Sequence, residues 1–195
     1  YLFSDYAAEM MKRVQDERER TGKPWFIFLS YWLPHHPYTP PREYYEMYDV
    51  KETKLWENFH DDLEGKPPNQ RRYRECYHRA IEHSDETWRE LITRYFAQTT
   101  FLDAQIGRVL DALDELGLSD STAVLFSTDH GDMCGSHGKF HDKDAFMYEE
   151  LYHIPLFIRI PGVTKPNTVR NEFVLNMDLA ATALDIAGEG EQTSR

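Results

Sequence analysis

Residues 122–132 read Thr122-Ala123-Val124-Leu125-Phe126-Ser127-Thr128-Asp129-His130-Gly131-Asp132, and this stretch decides the fold. Its opening is apolar, β-branched and aromatic, the composition of a buried strand. A strand there ends on an acid and an imidazole, with Gly131 able to turn the backbone sharply away. Neighbouring side chains on a regular strand point to opposite faces, so Asp129 and His130 reach a common ion only where the strand has stopped. In open α/β sheets ligands gather beyond the carboxyl ends of strands, which suits this position to a site. An isolated Asp-His-Gly reads first as a polar turn; the segments around it change that reading.

Outward from this stretch, helix and strand alternate. Upstream, Leu91, Tyr95, Leu102, Ile106, Val109, Leu110 and Leu113 form one stripe at helical spacing over 86–116, with Gly117 placed as the stop. That helix and strand 122–127 make an αβ unit. Further upstream, Ser4 and Asp5 are placed to cap a helix running to about residue 20. The nearly continuous apolar run over 25–32 is the mark of a strand covered on both faces. Pro34, Pro37, Pro40 and Pro41 make 33–41 irregular. Downstream, 155–161 reads as another strand and 178–187 as a helix before Gly188. The alternation predicts an α/β fold with a mostly parallel sheet flanked by helices. Residues 42–85 are charged, aromatic and short of aliphatics. They read as a polar excursion with short helices, outside the core and broken at 65–68, whose Arg71, Arg72 and Arg74 face an acid-rich surface.

The totals narrow the function. The 195 residues suffice for one domain or a large part of a bigger one. Against 34 Asp and Glu stand 22 Lys and Arg, a net charge of −12, which argues against a nucleic-acid or anionic-membrane surface as partner. Cys76 and Cys134 are too few for a disulfide framework and lack zinc-ribbon spacing, so both read as ordinary thiols. No apolar stretch is long enough to span a bilayer.

Three constellations could carry chemistry. The first is Asp129 with His130. The second is His35, held by a proline-stiffened loop directly after an apolar run, where an imidazole can serve as general acid or base; alone it reads as a surface histidine. The third is the turn-rich segment 135–143, which crowds Lys139, Lys143, His137 and His141 together. A lysine there could neutralise an anionic oxygen. His137 and His141 are four apart, but Gly138 intervenes and no metalloprotease Glu is present. His78 and His83 read as surface residues. Nucleophile-elbow, Walker and dinucleotide motifs do not occur in the sequence.

Together and in this order, the segments resemble the formylglycine-dependent sulfatases of the alkaline-phosphatase superfamily. The apolar run with Pro34-His35-His36-Pro37-Tyr38 is similar to the family's strand and Pro-His-x-Pro-Phe/Tyr. Phe101-Leu102-Asp103-Ala104-Gln105-Ile106-Gly107-Arg108-Val109-Leu110 is similar to its long helix. Thr128-Asp129-His130-Gly131 followed by Gly135-Ser136-His137-Gly138 resembles its metal motif, and Lys143, Tyr148-Glu149 and Ile154-Pro155-Leu156 resemble its next stretch.

The resemblance implies that 1–195 is part of one sulfatase catalytic domain of alkaline-phosphatase-like fold, incomplete at both ends. It implies that Asp129 and His130 ligate a single divalent cation, calcium as usual in the family, with manganese or magnesium left open by the imidazole ligand. His35 would protonate the leaving oxygen and Lys143 would bind a sulfuryl oxygen. Lys143 lies one position further from Asp129 than the family pattern leads one to expect, which keeps Lys139 as an alternative. The implied substrate is a small-molecule sulfate ester or sulfated sugar. Neither Cys76 nor Cys134 stands in Cys/Ser-x-Pro-x-Arg, so the formylglycine is expected outside this segment, which alone should be inactive. Rival readings are a phosphonate monoester or phosphodiester hydrolase of the same superfamily, including a two-zinc variant for which His137 and His141 are the nearby ligands, and a non-catalytic domain of this fold.

Overall fold

The computed structural model describes residues 2–77, 83–143 and 146–188. Helix α1 (Leu2–Thr21) packs against the long helix α4 (Asp85–Glu115). At 31 residues α4 spans about 46 Å. Ser84 caps it, its hydroxyl accepting the Thr87 N–H at 3.2 Å, and Gly117 at φ +67° leads the chain away. Ser4 is not a cap. It lies inside α1, buried, donating to the Gln105 carbonyl at 3.1 Å and sharing a hydrogen bond with the Tyr31 hydroxyl. Met11, Leu113 and Leu118 form the core between the two helices, with Trp25, Ile27, Val109 and Val124 against them. Only part of the apolar stripe read for α4 is buried. Its buried residues include the polar Thr93, Gln98 and Gln105, while Leu110 is 39% exposed.

The sheet corrects the sequence reading. Strand β1 (Val124–Ser127) follows a short 3-10 turn at Ser119–Ser121, and β2 (Leu156–Arg159) pairs with it antiparallel, Val124 opposite Arg159 and Ser127 opposite Leu156. A mostly parallel sheet is therefore not found among the described residues; the fold they show is mixed α and β. Residues 25–32 run on without joining a ladder. Trp25, Ile27, Leu29 and Tyr31 are half-buried, whereas Phe26, Phe28 and Trp32 are exposed. Alternation of this kind belongs to an extended segment covered on one face, so among the described residues nothing covers the second face that the sequence reading expects to be buried.

The excursion at 42–85 is also not what its composition implies. It holds α2 (Arg42–Tyr45) and α3 (Pro68–Tyr77), but Phe59 and Leu63 are fully buried. Leu63 packs with Met133, Phe140, Phe146 and Leu151, and Phe59 meets the edge of Trp88. Arg74 donates to the carbonyls of Asp61 and Asp62, and Arg71 donates to that of Leu63, so both engage main-chain oxygens of this segment. A few well-placed apolar side chains make a charged segment core, because burial depends on which side chains turn inward rather than on average composition. His78 lies outside the described residues, and His83 is exposed.

Beyond β1 come the single turn α5 (Ser136–Lys139), the short α6 (Glu149–Tyr152) and, after β2, α7 (Asn176–Ile186). Both cysteines are free thiols. Among the described residues no helix is long and apolar enough to cross a membrane.

Candidate active site

Three loops carry the candidate residues. β1 ends at Ser127, so Asp129 and His130 leave the pleat and need not diverge. Asp129 Oδ2 lies 3.6 Å from His130 Nε2. Two donors each about 2.2 Å from one ion span such a separation. His130 Nδ1 is 2.7 Å from the Gly131 carbonyl. A carbonyl only accepts, so Nδ1 carries the hydrogen and Nε2 keeps its lone pair for a metal. Asp129 Oδ1 accepts the His130 N–H at 3.1 Å, and its side chain is 85% exposed. The donor set of one carboxylate and one correctly tautomerised imidazole thus fits a divalent cation. Asn176, the first residue of α7, donates to the carbonyls of Thr128 (3.1 Å) and Asp129 (3.2 Å), holding this loop from the far side.

Gly131 has a steric reason. A Cβ there would lie 1.9 Å from the Glu150 carbonyl oxygen, since the backbone runs against residues 150–151 and Gly131 N–H donates to Leu151 at 2.9 Å. No other residue can pass so close.

The second loop carries His35. Its Nδ1 is 2.7 Å from the His36 carbonyl, which leaves Nε2 free, and Nε2 lies 3.3 Å from Lys143 Nζ. Two residues 108 positions apart therefore meet through a ring nitrogen and an ammonium. Lys139 is engaged elsewhere: its ammonium reaches towards the His83 carbonyl and Asp85 and sits 5.2 Å from the Phe59 ring centre. Lys143, not Lys139, therefore stands beside His35. His137 is also committed, with Nε2 2.9 Å from Glu150 and its ring stacked on Tyr148 at 3.8 Å.

Sequence reasoning missed Asp132, which joins the loops. Its Oδ2 accepts the Tyr38 hydroxyl at 2.6 Å, and its Oδ1 accepts the N–H of Cys134 (2.8 Å) and of Asp142 (3.1 Å). One carboxylate thus ties the His35 loop to the loop that ends at Lys143. Burial, then the Cys134 thiol and Asp132, push the Tyr38 hydroxyl well above its ordinary range; burial and then Asp132 do the same to Cys134. The only cue in the sequence was that Asp132 follows Gly131, and nothing marked its partners.

His35, His36 and Asp142 also offer ligand atoms within 4.8 Å of one another. The Lys143 ammonium 3.3 Å from His35 Nε2 opposes a cation there. Two cavities of about 570 and 530 Å³ open beside Glu150, and His35, Lys143, Asp129 and His130 line neither.

The described residues thus make a mixed α and β protein with an acid–imidazole pair just past a strand end and an imidazole–ammonium pair between two loops. The chain belongs to the sulfatase family, whose pattern it matches over residues 3–189. It is 38% identical over 142 residues to the uncharacterized sulfatase YidJ of Escherichia coli, covering 73% of this chain and 28% of that protein. It is 34% identical over 175 residues to an arylsulfatase of Clostridium perfringens, covering 87% and 35%. The solved phosphonate monoester hydrolase of Silicibacter pomeroyi superposes with a TM-score of 0.68 at 32% identity, over 89% of this chain and 37% of that one. The chain thus spans about a third of the length of the proteins it resembles.

Proposed function

We propose that the whole protein hydrolyses sulfate monoesters of small molecules, sulfated sugars included. The observation that carries this is the meeting of His35 Nε2 and Lys143 Nζ at 3.3 Å, from loops far apart in sequence. Lys143 supplies a fixed positive charge for a non-bridging sulfuryl oxygen, where charge resides throughout the reaction. In its imidazolium form His35 would give the Nε2 proton to the bridging oxygen as the S–O bond breaks, so that the leaving alcohol departs neutral and the ring is left neutral with its hydrogen on Nδ1, held by the His36 carbonyl. Asp129 and His130 would hold a divalent cation, calcium by resemblance and manganese or magnesium by the chemistry of the imidazole, and the ion would supply polarisation of the ester oxygens. Neither Cys76, exposed, nor Cys134, buried with its thiol held protonated by burial, fits the motif of a formylglycine precursor, so the nucleophile is assigned to residues outside these 195.

The similarity to a phosphonate monoester hydrolase supports a second reading with the same four residues acting on a phosphonate or phosphate ester. A panel of 4-nitrophenyl sulfate, a sugar sulfate, a phenylphosphonate monoester and a phosphodiester, assayed with the whole protein, separates the two. Highest kcat/KM on the sulfates, lost on chelation and cut about 10²–10⁴-fold in His35→Ala on the sugar sulfate, is the expected result. Preference for the phosphonate moves the assignment to the second reading. Metal binding without turnover of any ester leaves a non-catalytic domain.

A further inference from the structure

Besides the bond from Tyr38 to Asp132, a side chain with no exposed surface grips the loop that presents His35. Gln98 lies on α4, with no exposed surface, among the fully buried side chains. Its Nε2 donates to the Pro34 carbonyl at 2.9 Å and to the His35 carbonyl at 3.0 Å, and its Oε1 accepts the Thr39 N–H at 2.8 Å. One amide thereby bridges both arms of the loop, using both of its hydrogens. Pro34 and Pro37 have no N–H to offer, so the loop is poor in hydrogen bonds of its own. Within it His35 N–H reaches only back to the Trp32 carbonyl at 3.1 Å.

We infer that Gln98 is a positioning residue for His35, setting where Nε2 stands relative to Lys143 and to the leaving oxygen; this rests on the role given to His35 above. The argument is geometric. The His35 imidazole is fixed at Nδ1 by the neighbouring His36 carbonyl, so ring and backbone move together. The peptide carbonyl of His35 is gripped by Gln98, so the backbone cannot shift without breaking a buried bond. α4, the longest helix among the described residues, carries that grip. A proton donor displaced by about 1 Å loses on the order of 10²-fold in rate. A buried glutamine without such partners would be costly, and here each of its polar atoms has one.

The test uses the leaving group, because protonation matters for a poor one and little for a good one. The whole protein and its Gln98→Ala and His35→Ala variants are assayed on a sugar sulfate and on 4-nitrophenyl sulfate. Gln98→Met, which keeps length and volume while removing the amide, stands beside the alanine in case that variant does not fold. The expected result is a drop in kcat of about 10–100-fold on the sugar sulfate, several-fold at most on the nitrophenyl ester, with KM little changed. An equal loss on both esters makes Gln98 a purely structural residue and overturns the inference, as does no loss at all. If His35→Ala itself shows no dependence on the leaving group, the fault lies in the role of His35; a leaving-group effect in His35→Ala that Gln98→Met lacks places it in Gln98.

Discussion

At the residue scale, the loop after β1 depends on atoms that have no alternative. Gly131 passes the Glu150 carbonyl where any Cβ would overlap it at 1.9 Å. Gly131→Ala must push residues 150–151 or the 129–132 loop aside, at an expected cost of about 1–3 kcal/mol in denaturant unfolding of the whole protein. Because Asp129 and His130 sit on the displaced segment, calcium affinity measured by calorimetry should fall with it; unchanged affinity would show that the two side chains do not share an ion. Asp132 is the complementary case, a carboxylate whose value is in its three donors. Tyr38→Phe leaves Oδ2 without the Tyr38 hydroxyl and should cost about 1–3 kcal/mol. It should also lower turnover, since the same bond joins the loops of His35 and Lys143. The place of Asp129 and His130 just past the end of β1 was legible in the sequence, because an apolar run that gives way to polar residues and a glycine marks where a strand stops. Asp132 and Gln98 were not legible, because an acid or an amide becomes informative only through partners brought from 94 and 63 positions away.

At the element scale, helices were readable and the sheet was not. α1, α4 and α7 fall close to where periodicity and glycine stops place them, since a helix bonds within its own segment. A strand is defined by its neighbour, so the apolar runs at 25–32 and 155–161 gave positions without pairing, and β2 lies antiparallel to β1. The excursion at 42–85 shows the same limit for burial. Its residues 58–63 form the floor of the Lys143 loop: the Asn58 carbonyl accepts the Gly138 N–H at 2.9 Å, and a Cβ on Gly138 would come within 2.4 Å of the Asp61 carbonyl. Phe59→Ala should therefore cost about 3–5 kcal/mol, the range of a filled core position. A loss under 0.5 kcal/mol in urea unfolding would return this segment to the surface role its composition suggested.

At the scale of the molecule, two properties follow from how the elements are assembled. Tyr38, Tyr95 and Cys134 are all pushed above their ordinary ranges, each chiefly by burial. Raised values mean that the folded state keeps its protons after the unfolded chain has begun to lose them. This stability is fully present below the ordinary thiol and phenol values, roughly pH 8.5 to 10, and is lost as pH rises through the higher folded values. Each group adds a slope of about 1.4 kcal/mol per pH unit, so unfolding free energy should decline steeply above pH 9 and Tyr95→Phe should shallow the decline. The second property concerns surface. Phe26 (76%), Phe28 (79%), Trp32 (73%) and Phe157 (66%) are exposed large apolar side chains, more than single scattered ones account for. The chain spans about a third of the proteins it resembles. Expressed by itself it should bind a hydrophobic dye and self-associate, while the whole protein should do neither. Turnover should divide in the same way. The 195 residues contain the proposed cation ligands, the proton donor and the sulfuryl-binding lysine, but no Cys or Ser in the Cys/Ser-x-Pro-x-Arg setting that the family resemblance requires of a nucleophile. Binding of calcium by the chain alone, with no release of nitrophenol from 4-nitrophenyl sulfate, is the expected result. Measurable release sensitive to His35→Ala would mean that a nucleophile lies within these residues, and the assignment of that group elsewhere would fall.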